Sequence, residues 1–146
     1  MSVMFEIMKS LGRRDAIALR EKASTMTGTQ LIDSEHCIPP WDQNRDYSNW
    51  PVGSPVVDED QVWTLITPHN ASHFTGRPSE LRAIWSLAHT KDPKKAKKWV
   101  APFGTSGMYM TDECYKADDG KIFRCKKDNT VYDAITYPAY WEEVLV

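Results

Sequence analysis

Apolar residues near the amino terminus recur at helical spacing, break at Gly12 and resume on a shifted face. They are Met4, Met8, Leu11, Ile17, Leu19 and Ala23. This pattern predicts a helix over residues 3–27 that ends at Gly28. Thr29 then stands where it could cap a second, short helix over about residues 30–35.

Two roles for this helical segment remain open on the sequence. The helix either covers one side of a β structure, or it forms a bundle with identical copies or with a larger assembly. Its first residues carry much soft apolar surface for a chain end. An attachment or oligomerisation surface would therefore include Met4, Phe5, Met8 and Leu11, within a segment that spans residues 1–37.

Beyond this segment the chain changes to short β-prone runs that are separated by turn residues. Residues 56–57 and 62–67 flank the turn sequence DEDQ. Residues 113–116 and 121–125 flank ADDG in the same way, and Asp-Gly is a strong turn signal. The sequence therefore predicts two antiparallel hairpins.

The two hairpins belong to an internal repeat. Each is followed by an irregular loop with an asparagine, by a proline and finally by a tryptophan, which is Trp85 in the first copy and Trp141 in the second. The predicted fold is mainly β, with an N-terminal helical segment followed by two small antiparallel three-stranded units, residues 38–90 and 91–146. Because units of this size bury little surface, each closing tryptophan is expected to fold back over its own hairpin.

Composition limits the classes of partner. The 146-residue chain has a net charge of −2, and its basic residues form one short run at residues 94–98. Such a run is typical of a solvated linker, so no nucleic-acid partner is predicted. The amino-terminal apolar stretch is too short to cross a bilayer and lacks the apolar region of an export signal, so no membrane insertion is predicted.

Three cysteines without an export signal favour reduced thiols and a protein assembled in a cytoplasm. A two-residue turn at Asp119-Gly120 would place Cys114 directly across from Cys125. Two thiols in such a position are usually small buried hydrophobic side chains rather than a redox switch.

The sequence carries no constellation of catalytic groups. His69 and His73 have the spacing of a metal pair on a helix, but they lie in a loop-like stretch without a third ligand. No nucleophile elbow and no glycine-rich phosphate loop occurs. We therefore predict a protein that is not an enzyme and that holds no metal or cofactor.

The ordered succession of tyrosine, turn, hairpin, aromatic residue, loop, proline and tryptophan resembles the type V/XII chitin-binding modules. The tandem arrangement resembles bacteriophage virion proteins that carry two such modules after a helical segment. The resemblance covers residues 38–146, in YSNWPVGSPVVDEDQVWTLITPHNASHFTGRPSELRAIWSL, KKWVAPFGTSGMYMTDECYKADDGKIFRC and DNTVYDAITYPAYWEEV.

The resemblance implies a non-enzymatic structural component of a phage particle, in the tail, baseplate or fibre. It implies other virion proteins as partners, a homo-oligomer with a trimer preferred, and assembly in the host cytoplasm. One alternative is a module that binds chitin-like or bacterial cell-surface polysaccharide. A head-attached fibre or decoration protein is a further alternative.

The resemblance also indicates which aromatic residues could stack against sugar rings. They are Trp85, Trp99, Tyr109, Tyr132, Tyr140 and Trp141. The competing interpretation makes these residues the core and interfaces of two very small units. A sugar-binding unit should leave Trp85 or Trp141 flat and exposed, whereas an assembly part should bury them.

Overall fold

The computed structural model describes residues 14–146, which form two helices and two β-sheets. Helix α1 is described from residue 14, where the described part of the chain begins, to residue 22. The other elements are α2 (Gly28–Asp33), β1 (Pro55–Asp58), β2 (Gln61–Leu65), β3 (Trp85–Leu87), β4 (Lys97–Lys98), β5 (Cys114–Lys116), β6 (Ile122–Cys125) and β7 (Trp141–Val144). In the described part of the chain, no helix has the length and apolar character needed to cross a membrane.

A mainly β protein with an N-terminal helical segment and two sheets was predicted, and this coarse description is confirmed. The first sheet has the order β1-β2-β3 and is antiparallel. The second sheet has four strands in the order β4-β5-β6-β7, not the three that were predicted. Its extra strand, β4, comes from the basic run that was interpreted as a linker, and it pairs in parallel with β5.

The helical segment departs from its prediction at the junction between the helices. Thr27, not Thr29, caps α2, through a capping box in which Gln30 reaches back to the Thr27 amide. Gly28 begins this helix instead of ending the previous one. Its missing side chain admits the His89 backbone, because a Cβ here would collide with the His89 carbonyl oxygen. The Thr29 hydroxyl instead accepts the Lys91 N–H at 2.9 Å.

From residue 14 onwards, the helical segment covers the first sheet. One buried cluster joins both helices to the outer face of β2 and to the residue after β3, and its members are Leu19, Ala23, Leu31, Ile32, Ile38, Val62 and Ala88. The covering role is therefore confirmed for the described helices. The proposed oligomerisation residues Met4, Phe5, Met8 and Leu11 lie outside the described residues.

Both predicted hairpins are present, but their turns differ. Glu59 and Asp60 have positive φ angles of 54° and 59°, which make a two-residue turn that pairs Asp58 with Gln61. In the second hairpin three residues, 118–120, connect the strands, and Gly120 has a φ of +88°. This bulged turn shifts the register by one residue.

The longer turn means that the two cysteines are not directly across from each other, as they would be with a two-residue turn at Asp119-Gly120. Cys114 lies opposite Arg124, and Cys125 is on the other face of the sheet, opposite Trp141. Adjacent positions on a strand point to opposite faces, so the two thiols are separated by the sheet. Both are buried and free, as expected for small hydrophobic side chains.

The two units share a backbone hydrogen-bond pattern. The N–H of Gly53 donates to the carbonyl of Leu65, and the N–H of Asp112 donates to the carbonyl of Cys125. Both donors have a positive φ, 92° and 75°. Each middle strand then ends opposite the closing tryptophan, in the pairs Leu65–Trp85 and Cys125–Trp141.

The correspondence extends to the residues that precede each tryptophan. The backbone carbonyl of Ile84 accepts a hydrogen bond from the N–H of Ile66, and the backbone carbonyl of Tyr140 accepts one from the N–H of Lys126. Leu81 and Tyr137 correspond one turn earlier, since each donates its N–H to the carbonyl four residues before it. The prolines that entered the predicted repeat do not correspond, because Pro78 and Pro138 stand at different distances from their tryptophans.

Side chains and backbone bonds join the two units directly. The Gln61 side chain donates to the carbonyl of Lys98 at 3.0 Å, and Arg82 donates to the carbonyl of Ala101 at 3.0 Å. The N–H of Cys114 donates to the carbonyl of Thr90 at 2.8 Å. The two units on either side of residue 90 are therefore in direct contact with each other.

Candidate functional site

Three of the six aromatic residues proposed for sugar stacking are buried. Trp85 is 0% exposed, Tyr109 1% and Trp141 5%. Their faces are covered by neighbouring rings and strands, so they cannot offer a surface to a sugar. The structure assigns these three side chains to the core, against the expectation from the resemblance.

The buried tryptophans make the same contact in both units. The ring of Tyr47 meets Trp85 edge-on, with centroids 5.2 Å apart, and the ring of Tyr109 meets Trp141 edge-on at 5.4 Å. Burial raises the pKa of Tyr47 and of Tyr109. Tyr47 was not singled out from the sequence, although a tyrosine precedes each hairpin, eight residues before β1 in the first unit and five before β5 in the second.

Trp99 lies between core and surface. It is half-buried, and its ring stacks on Tyr109 with centroids 4.9 Å apart and planes within 9°. One face of Trp99 is therefore covered by a core residue. It supports the second core more than it offers a binding surface.

The remaining two candidates, Tyr132 and Tyr140, meet at the surface with a third tyrosine that sequence analysis missed. Tyr132 is 52% exposed and Tyr137 43% exposed, and Tyr140 is half-buried. The planes of Tyr132 and Tyr137 differ by 19°, and those of Tyr137 and Tyr140 by 21°, with centroids 5.9 and 4.5 Å apart. We call these three near-parallel rings the tyrosine surface.

Local backbone structure places these rings outside the core. The N–H of Tyr137 donates to the carbonyl of Asp133, and the Asp133 carboxylate accepts the N–H of Thr136 at 2.9 Å. A 3-10 turn at Pro138–Tyr140 follows, and proline suits the first position of such a turn. The turn directs Trp141 into the core, packs Tyr140 against the edge of that core and leaves Tyr137 exposed.

A cleft of about 240 Å³ lies beside the tyrosine surface. Residues 127–131 line its other side. The Lys127 ammonium donates to the Tyr140 hydroxyl at 3.2 Å and lies 4.6 Å from the centre of the ring. The Asp128 carboxylate accepts the N–H of Thr111 at 2.9 Å, and hydrogen bonds to Thr111 lower the pKa of Asp128. The lining of this cleft therefore combines aromatic rings with charged and polar side chains.

The first unit has no tyrosine surface at the corresponding place. Leu81 stands where the second unit has Tyr137, and Ile84 where it has Tyr140. With Phe74 and Phe103, these residues line a mostly apolar cleft of about 430 Å³. The two units therefore share a core plan but differ in the side chains on this surface.

The predicted absence of a metal site can be compared with the described residues only. Within residues 14–146, no group of three or more His, Cys, Asp or Glu side chains is arranged to hold a metal ion. His69 is buried between aromatic rings, and its Nδ1–H donates to the carbonyl of Thr67 at 3.0 Å. His73 is exposed, so the two histidines have different environments.

Comparison with protein-family models and with curated proteins found no match to this chain.

Proposed function

We propose that this chain is a non-enzymatic structural component of a bacteriophage virion, in the tail, baseplate or fibre. In this proposal two carbohydrate-binding-like units form the body of the protein, and the second unit contacts host cell-surface polysaccharide. The protein assembles in the host cytoplasm and joins other virion proteins.

The tyrosine surface is the observation that carries the glycan-binding part of the proposal. Sugar rings present apolar C–H faces and polar hydroxyl edges, so their binding sites pair aromatic side chains with a few hydrogen-bonding groups. The cleft of the second unit is lined by Tyr132, Tyr137 and Tyr140 together with Lys127 and Asp128. The first unit, with Leu81 and Ile84, lacks this combination.

The structural role is supported by the use of most aromatic residues as core. Trp85 and Trp141 are buried in corresponding positions, as expected of a unit that is reused as a building block. Since α1 and α2 already pack against the first sheet, the attachment role proposed for the helical segment falls to residues 1–13.

Replacing Tyr137 with alanine is expected to weaken glycan binding at least about fivefold, because truncation of an aromatic residue at the centre of a contact costs about 1 kcal/mol or more. Isothermal titration with N-acetylglucosamine oligomers and with soluble cell-wall fragments would measure this loss. The variant should fold normally, because Tyr137 is 43% exposed.

Two variants separate this effect from a general loss of aromatic surface. Tyr137→Phe retains the ring and should keep most of the affinity. Phe103→Ala removes a ring that is 64% exposed and lines the apolar cleft of the first unit instead of the tyrosine surface, so it should leave affinity unchanged. If wild-type protein binds none of these glycans, the glycan-binding part of the proposal is wrong.

The structural part of the proposal predicts that residues 1–13 drive self-association. We expect the full chain to be a trimer and the chain of residues 14–146 to be a folded monomer, because that truncation keeps the helices that cover Val62 and Ala88. Light scattering would measure both masses. A truncation at Ile38 would not test this, because it removes Leu19 and Leu31 from the core. A full chain that is monomeric would contradict the oligomeric assembly.

A further inference from the structure

Lys127 and Tyr140 form a polar pair at the edge of the tyrosine surface. The ammonium of Lys127 is exposed and lies 3.2 Å from the Tyr140 hydroxyl oxygen. Among the described residues, no carboxylate lies within ion-pair distance of Lys127. Two of its three N–H donors are therefore free to bind another group.

The pair presents hydrogen-bond donors to the cleft. A lysine ammonium can only donate, so the oxygen of Tyr140 must accept the bond from Lys127. The phenolic proton of Tyr140 then points elsewhere, and its donor strength rises because a cation already polarises the oxygen. Two donors, one of them charged, stand together beside an aromatic wall.

The charge and the aromatic rings occur together in only one of the two units. By the shared hydrogen-bond pattern, Lys126 corresponds to Ile66, and so Lys127 corresponds to Thr67. The first unit therefore lacks both the tyrosines and the lysine at this place. A side chain that served only the shared fold would not need to differ in this coordinated way.

We infer that the second unit binds an acidic glycan. A carboxylate or phosphodiester oxygen of the glycan accepts hydrogen bonds from Lys127 and Tyr140, while a neighbouring sugar ring contacts Tyr132 or Tyr137. This inference rests on the proposed glycan-binding function. Hydrogen bonds from an ammonium to an anionic oxygen are about twice as strong as neutral ones, so they select an acidic glycan over a neutral one.

Asp128, which lines the same cleft, stays ionised because its hydrogen bonds to Thr111 lower its pKa, and it offsets one of the two lysine charges beside it. Its carboxylate is engaged by the N–H of Thr111, on the side of the loop that faces the second hairpin. The neighbouring Lys126 is exposed and adds a second positive charge to the same loop. The loop as a whole is therefore positively charged where it meets the rings.

The test compares the affinities of the full chain for neutral and acidic glycans at low salt. The neutral probe is an N-acetylglucosamine oligomer, the carboxylate probe is a hyaluronan oligosaccharide, and the phosphodiester probe is a glycerol-phosphate polymer. We expect at least about tenfold tighter binding of one acidic probe, and the preferred one identifies the anion. Lys127→Gln should abolish this preference, so that the acidic and neutral probes bind with similar affinity. Lys126→Gln, at the adjacent exposed lysine, should retain most of the preference.

The outcomes separate the inference from the proposed function. Equal or tighter binding of the neutral probe, or an acidic preference that survives in Lys127→Gln, would overturn the inference and leave glycan binding intact. Failure of every probe to bind would overturn both. Higher salt should weaken acidic binding in the wild-type protein and should have little effect in Lys127→Gln.

Discussion

Replacing Trp85 with alanine is expected to lower the free energy of unfolding by about 3–5 kcal/mol. Trp85 is 0% exposed and is the largest side chain that β3 contributes to the core of the first unit. Its ring is in edge-on contact with Tyr47 at 5.2 Å and with His69 at 5.6 Å. Truncation removes these contacts and leaves a cavity that a small unit cannot close.

The free energy of unfolding lost in Trp85→Ala should be a large fraction of the whole, because the free energy of unfolding of a single domain is only about 5–15 kcal/mol. Urea denaturation followed by far-UV circular dichroism would measure it. Phe103→Ala is the matched control, since Phe103 is 64% exposed and its truncation should change stability by less than about 0.5 kcal/mol. A cost below about 1 kcal/mol for Trp85→Ala would contradict the placement of this ring in the core.

Sequence patterns located the hairpins well, because turn residues and β-prone runs act locally. They located the first turn within DEDQ, where the structure pairs Asp58 with Gln61 across Glu59 and Asp60. They left the register of the second hairpin open, and the structure shows the longer turn, with Gly120 as its third residue at a positive φ. An Asp-Gly pair is compatible with both geometries, so the sequence alone could not choose between them.

Sequence patterns also found the aromatic residues but not which of them reach the surface. Trp85 and Trp141 begin strands that face a core, whereas Tyr137 lies in a turn that faces away from it. Exposure depends on this tertiary placement, which residue type does not specify. The one available signal was the difference between the copies. The tryptophans recur in both units, whereas Tyr137 corresponds to Leu81, so the recurring residue serves the fold and the changed residue is free to serve binding.

The contacts between the units could not be predicted from local patterns. The bond from Gln61 to the Lys98 carbonyl spans 37 residues, and the bond from Arg82 to the Ala101 carbonyl spans 19. Such contacts depend on how the two sheets meet. They explain why part of the basic run became strand β4 instead of a solvated linker.

The buried His89 is expected to make the protein less stable as the pH falls from about 6.5 to about 4. Burial lowers the pKa of His89 from 6.5 to about 4, even though a hydrogen bond to the Gly107 carbonyl favours the protonated ring, and nearby Arg82 lowers it further. Below pH 6.5 the unfolded chain binds a proton that the folded chain does not bind. The loss reaches about 3 kcal/mol near pH 4 and then levels off, because the folded state also becomes protonated there.

The local structure explains why protonation is costly at this position. The Nε2–H of His89 donates to the carbonyl of Gly107 at 2.7 Å, so the neutral ring is already satisfied on that side. The ring stacks on Tyr109 with centroids 3.6 Å apart, and the two residues lie where the units meet. A second proton would place a charge in this buried contact, near the guanidinium of Arg82.

Comparing the wild-type protein with His89→Gln isolates the contribution of His89. Glutamine stays neutral and can donate to the Gly107 carbonyl, so the difference in unfolding free energy between the two proteins should change by about 3 kcal/mol between pH 6.5 and 4. Burial raises the pKa of Glu113, which favours the folded state as the pH falls, and this opposing effect cancels in the difference. The lowered pKa values of Asp46 and Asp128 reduce stability chiefly below pH 4 and cancel as well. Parallel pH profiles for the two proteins would show that His89 titrates normally and that the junction between the units admits water.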